Sequence, residues 1–170
     1  LGKDVRGMEG FSVPSAFAMN PNRKPFDDPR VRKAIHRALD LNSLLRIAEF
    51  GEGKLSGIVG PYLAPLKIPE SELADYLKFD LAEAKQLLQQ TAFDTGKTWD
   101  FVIRSDSTEH QTLAPLVKEQ LAAAGIKTSF TDVPQAEYQT RTFAEPGQFD
   151  FTLSTTGTDI GRTLRDQHSK

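Results

Sequence analysis

The sequence predicts an α/β fold in which a mixed sheet is flanked by helices. Two observations favour this fold. Apolar residues recur at helical spacing in several segments that begin at a capping residue. Short segments with apolar residues at every second position stand between helices in the second half of the chain, in the order helix–strand–helix–strand–helix–strand. Because this alternation with short links is typical of parallel strands joined by crossover helices, we expect parallel pairing there.

The composition is that of a folded domain without cysteine chemistry. The 170 residues include 21 Lys plus Arg and 23 Asp plus Glu, for a formal net charge of −2. This length is sufficient for one domain with its own core. The absence of Cys excludes disulfides, Cys-ligated zinc and thiol nucleophiles. Because the chain begins with Leu1, we expect it to be a piece of a longer protein, so a missing signal peptide says nothing about its compartment.

The first half of the chain predicts one strand and two helices. Partly alternating apolar residues predict a short strand at 16–19. Asp28 and Pro29 predict the start of a helix at 29–39, because Asp accepts hydrogen bonds from first-turn amides and Pro lacks an amide of its own. Asn42 predicts a second short helix. One apolar face of the first helix carries Val31, Ala34, Ile35, Ala38 and Leu39.

Residues 51–79 form the least regular segment, which contains four Gly and three Pro. A structureless loop of this length inside a compact domain is either functional or a sign that the element assignment there is wrong. The only element predicted within it is a short helix at 70–77.

The second half predicts three helices and three strands. Asp80 and Glu83 have the spacing of a capping box. Ser107 or Thr108 begins the longest helix, and Gly125 occupies the place of a left-handed cap. The predicted elements are helices at 81–91, 109–124 and 135–144 and strands at 99–104, 126–133 and 149–155.

Six basic residues cluster between positions 23 and 37. They are Arg23, Lys24, Arg30, Arg32, Lys33 and Arg37. A nucleic-acid interface needs a continuous basic face and usually aromatic platforms, whereas Asp27, Asp28 and Asp40 interrupt this cluster. The helical period explains the basic residues as a solvated helix face, so we expect no nucleic-acid partner.

No arrangement of residues has a catalytic or metal-binding signature. The three histidines are His36, His110 and His168. No two have metal-ligand spacing, and the first two lie on predicted helices, on or near the polar side, so we interpret them as surface or internally satisfied imidazoles. The cap explains Asp80 and Glu83, with paired catalytic carboxylates as the weaker alternative. Trp99 is interpreted as a core residue, with a ligand-facing position as the alternative. We expect no enzyme activity, no cofactor and no metal.

Residues 20–40 contain an extended motif. It reads Asn, a short gap, Pro-Phe-Asp-Asp, then Val-Arg-x-Ala and a closing Ala-x-Asp. This motif resembles the signature of the family 5 extracytoplasmic solute-binding proteins of ABC importers, which include oligopeptide-, dipeptide- and nickel-binding proteins. The matching positions are Asn20, Pro25, Phe26, Asp27, Asp28, Val31, Arg32, Ala34, Ala38 and Asp40.

Further matches follow in the order of the family over residues 17–160. They are Gly60-Pro61, Phe79-Asp80 with Ala84-Lys85-x-Leu87-Leu88, Gln120-Leu121 through Gly125-Ile126-Lys127, and Phe149-Asp150. The resemblance implies that residues 1–170 are a single domain, a fragment corresponding to the second, C-terminal lobe of a two-lobe clamp of the periplasmic-binding-protein type. The missing first lobe would come from other parts of the same chain.

The resemblance implies a binding function. The whole protein would capture a peptide or another amine-bearing small solute between its lobes and deliver it to the permease of an ABC transporter, in the periplasm or anchored outside the membrane. In family peptide binders an Asp after the Phe-Asp strand pairs with the amino terminus of the ligand, and Asp159 is similarly placed. We expect Asp159, with Gly157 and Thr158, to contact the ligand. The alternative is that Asp159 is a solvated turn or cap residue.

Two other functions stay open at this point. The same domain can serve as the ligand sensor of a cytoplasmic transcription regulator, which a helix-turn-helix segment upstream would indicate. The second open function is that of an enzyme or an unrelated interaction module, although no catalytic arrangement supports it.

Overall fold

Six helices and four strands make up the part of the chain that the computed structural model describes, residues 15–48, 70–144 and 146–155. The strands are β1 (Ser15–Met19), β2 (Thr98–Arg104), β3 (Lys127–Val133) and β4 (Phe151–Thr155). The helices are α1 (Pro29–Arg37), α2 (Leu41–Ala48), α3 (Glu70–Tyr76), α4 (Leu81–Gln89), α5 (Thr108–Ala123) and α6 (Gln135–Phe143). Each element predicted from the sequence is present, with ends that differ by one or two residues.

The strands form one mixed sheet in the order β1-β4-β2-β3. Strand β2 pairs in parallel with both β3 and β4, and α5 and α6 are the crossover helices, which confirms the parallel pairing predicted for the second half. Strand β1 pairs antiparallel with β4 and is an outer strand of the sheet. The fold is therefore the predicted α/β arrangement of a mixed sheet with flanking helices.

Local capping chemistry sets the helix starts as the sequence predicts. Asp28 accepts a hydrogen bond from the Arg30 amide (2.8 Å). Asp80 accepts one from the Glu83 amide (2.9 Å), but the reciprocal half of the capping box is absent because the Asp80 amide donates to the carbonyl of Arg37 (2.9 Å). At the end of α5, the link to β3 turns through a glycine with φ +87°, which is the left-handed conformation that glycine adopts without strain.

Two apolar layers cover the two faces of the sheet. The larger layer packs α1, α4 and α5 against one face, and its fully buried aromatic residues include Phe26, Phe101 and Phe151. The Phe26 ring lies 5.1 Å from the ring of Trp99, which is buried and confirms the core interpretation of that residue. The smaller layer on the other face contains Val102, Val133, Tyr138 and Phe149.

Two expectations about polar residues are wrong. Arg37 was expected on a solvated face, but its side chain is only 4% exposed, because it extends toward α3 and bonds to that helix. His110 was expected on or near the polar side of its helix, but it is 4% exposed, because the first turn of α5 packs against the end of β2. Its imidazole is internally satisfied, in agreement with the other half of that expectation.

Candidate functional site

The carboxyl ends of the three parallel strands meet at one edge of the sheet. Strands β2, β3 and β4 end there at Arg104, Val133 and Thr155. In open α/β sheets, ligands bind in the crevice outside the carboxyl ends of the strands. We therefore take this edge, called here the carboxyl edge, as the candidate site.

Arg104 places a guanidinium at the carboxyl edge. Its Nε donates to Oδ1 of Asp106 and its Nη2 donates to Oε1 of Gln135, each at 3.1 Å. The side chain is 28% exposed, and no described residue accepts a hydrogen bond from Nη1. A partly exposed guanidinium that two described residues hold in place is suited to bind a carboxylate.

The first turn of α5 holds the backbone of Arg104 from both sides. Ser107 caps this helix by accepting a hydrogen bond from the amide of His110 (3.3 Å). Nδ1 of His110 accepts the Arg104 amide (3.0 Å), and Nε2 of Gln111 donates to the Arg104 carbonyl (2.9 Å). The helix start therefore fixes the last residue of β2.

Tyr138 connects this arrangement to β4 from the other face of the sheet. Its ring meets the His110 ring edge to face, with centroids 5.4 Å apart. Its hydroxyl donates to the Leu153 carbonyl and lies 3.0 Å from Oγ1 of Thr152. Burial lowers the pKa of the His110 imidazole, and burial raises the pKa of the Tyr138 phenol, so both groups are neutral near pH 7.

The residues predicted as ligand contacts, Gly157, Thr158 and Asp159, lie outside the described residues. Strand β4 pairs in parallel with β2 through Val102 and Thr152. Strand β4 ends three residues later, at Thr155, on the same side of the sheet as the end of β2 at Arg104.

Sequence reasoning missed Arg104 as a site residue. The available signal was its position as the last residue of a strand predicted to be parallel, because such residues meet at one edge of a sheet. The sequence pattern did not distinguish it from the other solvated basic residues.

A surface depression lies at the opposite edge, beside the start of β2. It is an open depression of about 460 Å³, lined by Lys24, Pro25, Asp27, Asp28, Ala92 and Trp99. The Asp28 carboxylate is already occupied by the α1 amide and by the Arg30 side chain (2.7 Å), and burial removes most of the Trp99 surface from a ligand. This depression is therefore the weaker candidate.

The described residues include no group of three His, Asp or Glu side chains placed to hold a metal ion. No helix in the described ranges is long and apolar enough to cross a membrane.

Solved structures share this fold. The ABC transporter substrate binding protein CtaP from Listeria monocytogenes superposes with a TM-score of 0.77 over 89% of this chain and 31% of that one, at 16% identity. Several relatives are similar in sequence, and two of them are described here. The heme-binding protein A of Haemophilus influenzae is 29% identical over 78% of this chain and 24% of its own length. The di/tripeptide-binding protein 2 of Pseudomonas aeruginosa is 30% identical over 85% of this chain and 27% of its own.

The chain spans about a quarter of the length of these curated relatives. The sequence model of the bacterial extracellular solute-binding proteins, family 5 middle region, matches residues 10–165. This match covers nearly the whole chain and includes both the motif at 20–40 and the carboxyl edge. The chain belongs to family 5 of the bacterial extracellular solute-binding proteins.

Proposed function

We propose that this chain is the second lobe of a solute-binding protein that captures a peptide or another amine-bearing small solute for an ABC importer. The family match over residues 10–165 carries the proposal. The whole protein would work outside the cytoplasm, in the periplasm or anchored at the membrane, and would pass its solute to the permease. It performs no catalysis. The relatives are named as binding proteins, among them one for di- and tripeptides, which supports this proposal.

Residues 1–170 would form a single domain, and the missing first lobe would come from other parts of the same chain. This agrees with the extent of the match, which covers about a quarter of each relative. Hinge closure of two lobes encloses a ligand and removes most of its surface from water. One lobe alone leaves the solute open to solvent.

Opposite charges supplied by Arg104 and Asp159 would suit a zwitterionic solute. Arg104 presents its partly exposed guanidinium at the carboxyl edge. Asp159 follows the end of β4 at Thr155 by four residues, which span at most about 14 Å when fully extended. A carboxylate from this segment would bind the ammonium of the solute, and Arg104 would bind its carboxylate, with Gly157 and Thr158 beside the anchor.

The alternative of a cytoplasmic transcription regulator has no support in these comparisons. The family that matches is extracellular, and the relatives reported above are binding proteins.

Calorimetry on the whole protein tests the proposal. The probes are Ala-Ala, Ala-Ala-Ala and glutathione, with N-acetylated and C-amidated Ala-Ala-Ala as matched controls. We expect micromolar or tighter binding of at least one free peptide and weaker binding of both blocked forms. Binding of none of the free peptides would contradict capture of a peptide.

Two substitutions test the anchors separately. Asp159→Asn is expected to weaken binding of free Ala-Ala-Ala at least tenfold and to leave the N-acetylated form unchanged. Arg104→Gln is expected to affect the free peptide and to leave the C-amidated form unchanged. An unchanged affinity for the free peptide would remove the substituted residue from the site.

A further inference from the structure

The backbone of Arg104 is held in part by an acceptor that titrates. The amide of Arg104 donates to Nδ1 of His110 over 3.0 Å, which requires this nitrogen to carry no proton. The neutral ring must therefore hold its proton on Nε2. The carbonyl of the same residue accepts from Gln111, so the protonation state of one imidazole decides whether the last residue of β2 is held from both sides or only one.

We propose that His110 is a positioning residue, whose neutral imidazole orients Arg104 for the carboxylate of the solute, so that protonation of His110 weakens capture. The inference rests on the proposed function and deepens it, because it adds a pH-dependent control of the same site. No family motif quoted above includes this histidine.

Charged and titratable groups face His110 from β2, from the link before α5, from α5 itself and from α6. Arg104 faces it from β2, Asp106 from the link before α5, Glu109 from α5 itself, and the Tyr138 phenol from α6. Burial is the main cause that lowers the His110 pKa; Arg104 lowers it further, and the two carboxylates raise it. Because protonation weakens capture in this proposal, binding of the solute must in turn favour the neutral imidazole of His110.

Protonation changes the contact from attraction to repulsion. A proton on Nδ1 would point at the Arg104 amide proton, and neither group could accept from the other. The buried ring would have to turn or Arg104 would have to move, while Asp106 and Gln135 hold only the guanidinium end. The backbone of Arg104 would then keep only the Gln111 bond to its carbonyl and would no longer be held from both sides.

Ligand-free nuclear magnetic resonance of the whole protein tests the coupling first. With ¹⁵N-labelled His and Arg, Nδ1 of His110 is expected to resonate as an unprotonated nitrogen at pH 7.5. The Arg104 amide is expected to shift with the same midpoint as the His110 ring when the pH is lowered. His36, a half-buried histidine on α1 whose pKa burial also lowers, supplies the matched control through His36→Asn.

Calorimetry at pH 7.5 and at pH 5 tests the consequence, with Ala-Ala-Ala as the probe. The wild type is expected to bind about tenfold more weakly at pH 5, which corresponds to about 1.4 kcal/mol. His110→Asn keeps an acceptor atom one bond beyond Cγ, where Nδ1 lies, but does not titrate. It is expected to retain the affinity of pH 7.5 within about threefold and to lose the pH dependence, whereas His36→Asn keeps the wild-type profile.

Each outcome decides a separate question. An Arg104 amide that does not follow the His110 titration, or a His110→Asn variant with the wild-type pH profile, would overturn the role of His110. Failure to bind any peptide at pH 7.5 would contradict the proposed function, and the ligand-free titration would still decide the coupling. A wild-type loss at pH 5 that is equal for C-amidated Ala-Ala-Ala would also overturn the inference, because that probe has no carboxylate for Arg104.

Discussion

Replacing Arg37 by Met is expected to destabilise the 170-residue chain by about 3 kcal/mol. The guanidinium lies almost wholly buried between α1 and the segment that links α3 to α4. Its Nη1 donates to the carbonyls of Asp75 and Lys78, the latter at 3.1 Å, and its Nη2 donates to Oδ1 of Asp75 at 2.9 Å. Its Nε lies 3.2 Å from Oε2 of Glu83, an ion pair without hydrogen-bond geometry.

The magnitude follows from the two backbone carbonyls that lose their hydrogen-bond donor. A hydrogen bond that involves a charged group contributes about 1.5–3 kcal/mol, so two bonds to carbonyls give about 3–6 kcal/mol. The side chains of Asp75 and Lys78 are 75% and 53% exposed, so water reaches this segment and the lower end applies. Met retains the apolar stem of Arg37, so little of the loss comes from a cavity.

Urea unfolding followed by circular dichroism measures this change. With a slope of about 2 kcal/mol per molar, the midpoint of Arg37→Met is expected about 1.5 M below that of the wild type. Lys33→Met is the matched control, because Lys33 lies on the same helix and pairs with the same Glu83 (2.9 Å) but is 52% exposed. Its midpoint is expected to stay close to the wild-type value, because exposed ion pairs contribute little.

Equal midpoints for Arg37→Met and Lys33→Met would refute the reasoning. Such a result would mean that the buried guanidinium stabilises the fold no more than an apolar side chain of similar length does, as replacement of some buried ion pairs has shown. Hydrogen exchange gives a second test of whether the Arg37 contacts stabilise the fold. Loss of these contacts is expected to open the amides of α3 (Glu70–Tyr76) to exchange before those of α5.

Three further predictions concern the cap, the pH dependence and the division between lobes. Ser107→Ala removes the N-cap of α5 and is expected to lower the free energy of unfolding by about 1 kcal/mol in urea titrations, whereas Ser107→Asp, which restores an acceptor, should recover most of it. The free energy of unfolding is expected to fall as the pH drops below about 6.5, because burial lowers the pKa of His110 and only the unfolded chain takes up its proton. The variant His110→Asn should reduce this dependence on pH, and an unchanged dependence would mean that other groups cause it. The isolated 170-residue chain is expected to bind the solute of the whole protein at least about 100-fold more weakly, a gap of about 2.7 kcal/mol by calorimetry, and equal affinity would mean that one lobe holds the complete site.

Local patterns were sufficient to predict the elements. The cap at Asp28, the cap at Ser107 and the left-handed Gly125 are each decided within a few residues of sequence, and the structure confirms all three. The apolar period predicted which face of α1 is buried. Alternation of helices and strands predicted parallel pairing in the second half, and the pairs of β2 with β3 and with β4 confirm it.

The candidate site was only partly predictable. The resemblance to the family led to Asp159, Gly157 and Thr158, which stay a prediction because they lie outside the described residues. Arg104 was missed, because an arginine at the end of a predicted strand has the same local sequence signal whether it faces solvent or a ligand. Arg104 becomes a candidate only because the fold pairs β2 with β4 and brings the ends of both strands to the same side of the sheet.

The sequence by itself determined the helices, the strands, their parallel alternation and the family of this chain, because each of these depends on residue type at short spacing or on motifs in a fixed order. The tertiary structure alone decided which polar side chains are buried. Arg37 meets Asp75 across 38 positions, and the buried Asn20 bonds to the Pro146 carbonyl (3.0 Å) across 126. No local pattern encodes such partners, since a polar side chain is buried only where the fold brings it hydrogen-bonding groups from distant segments.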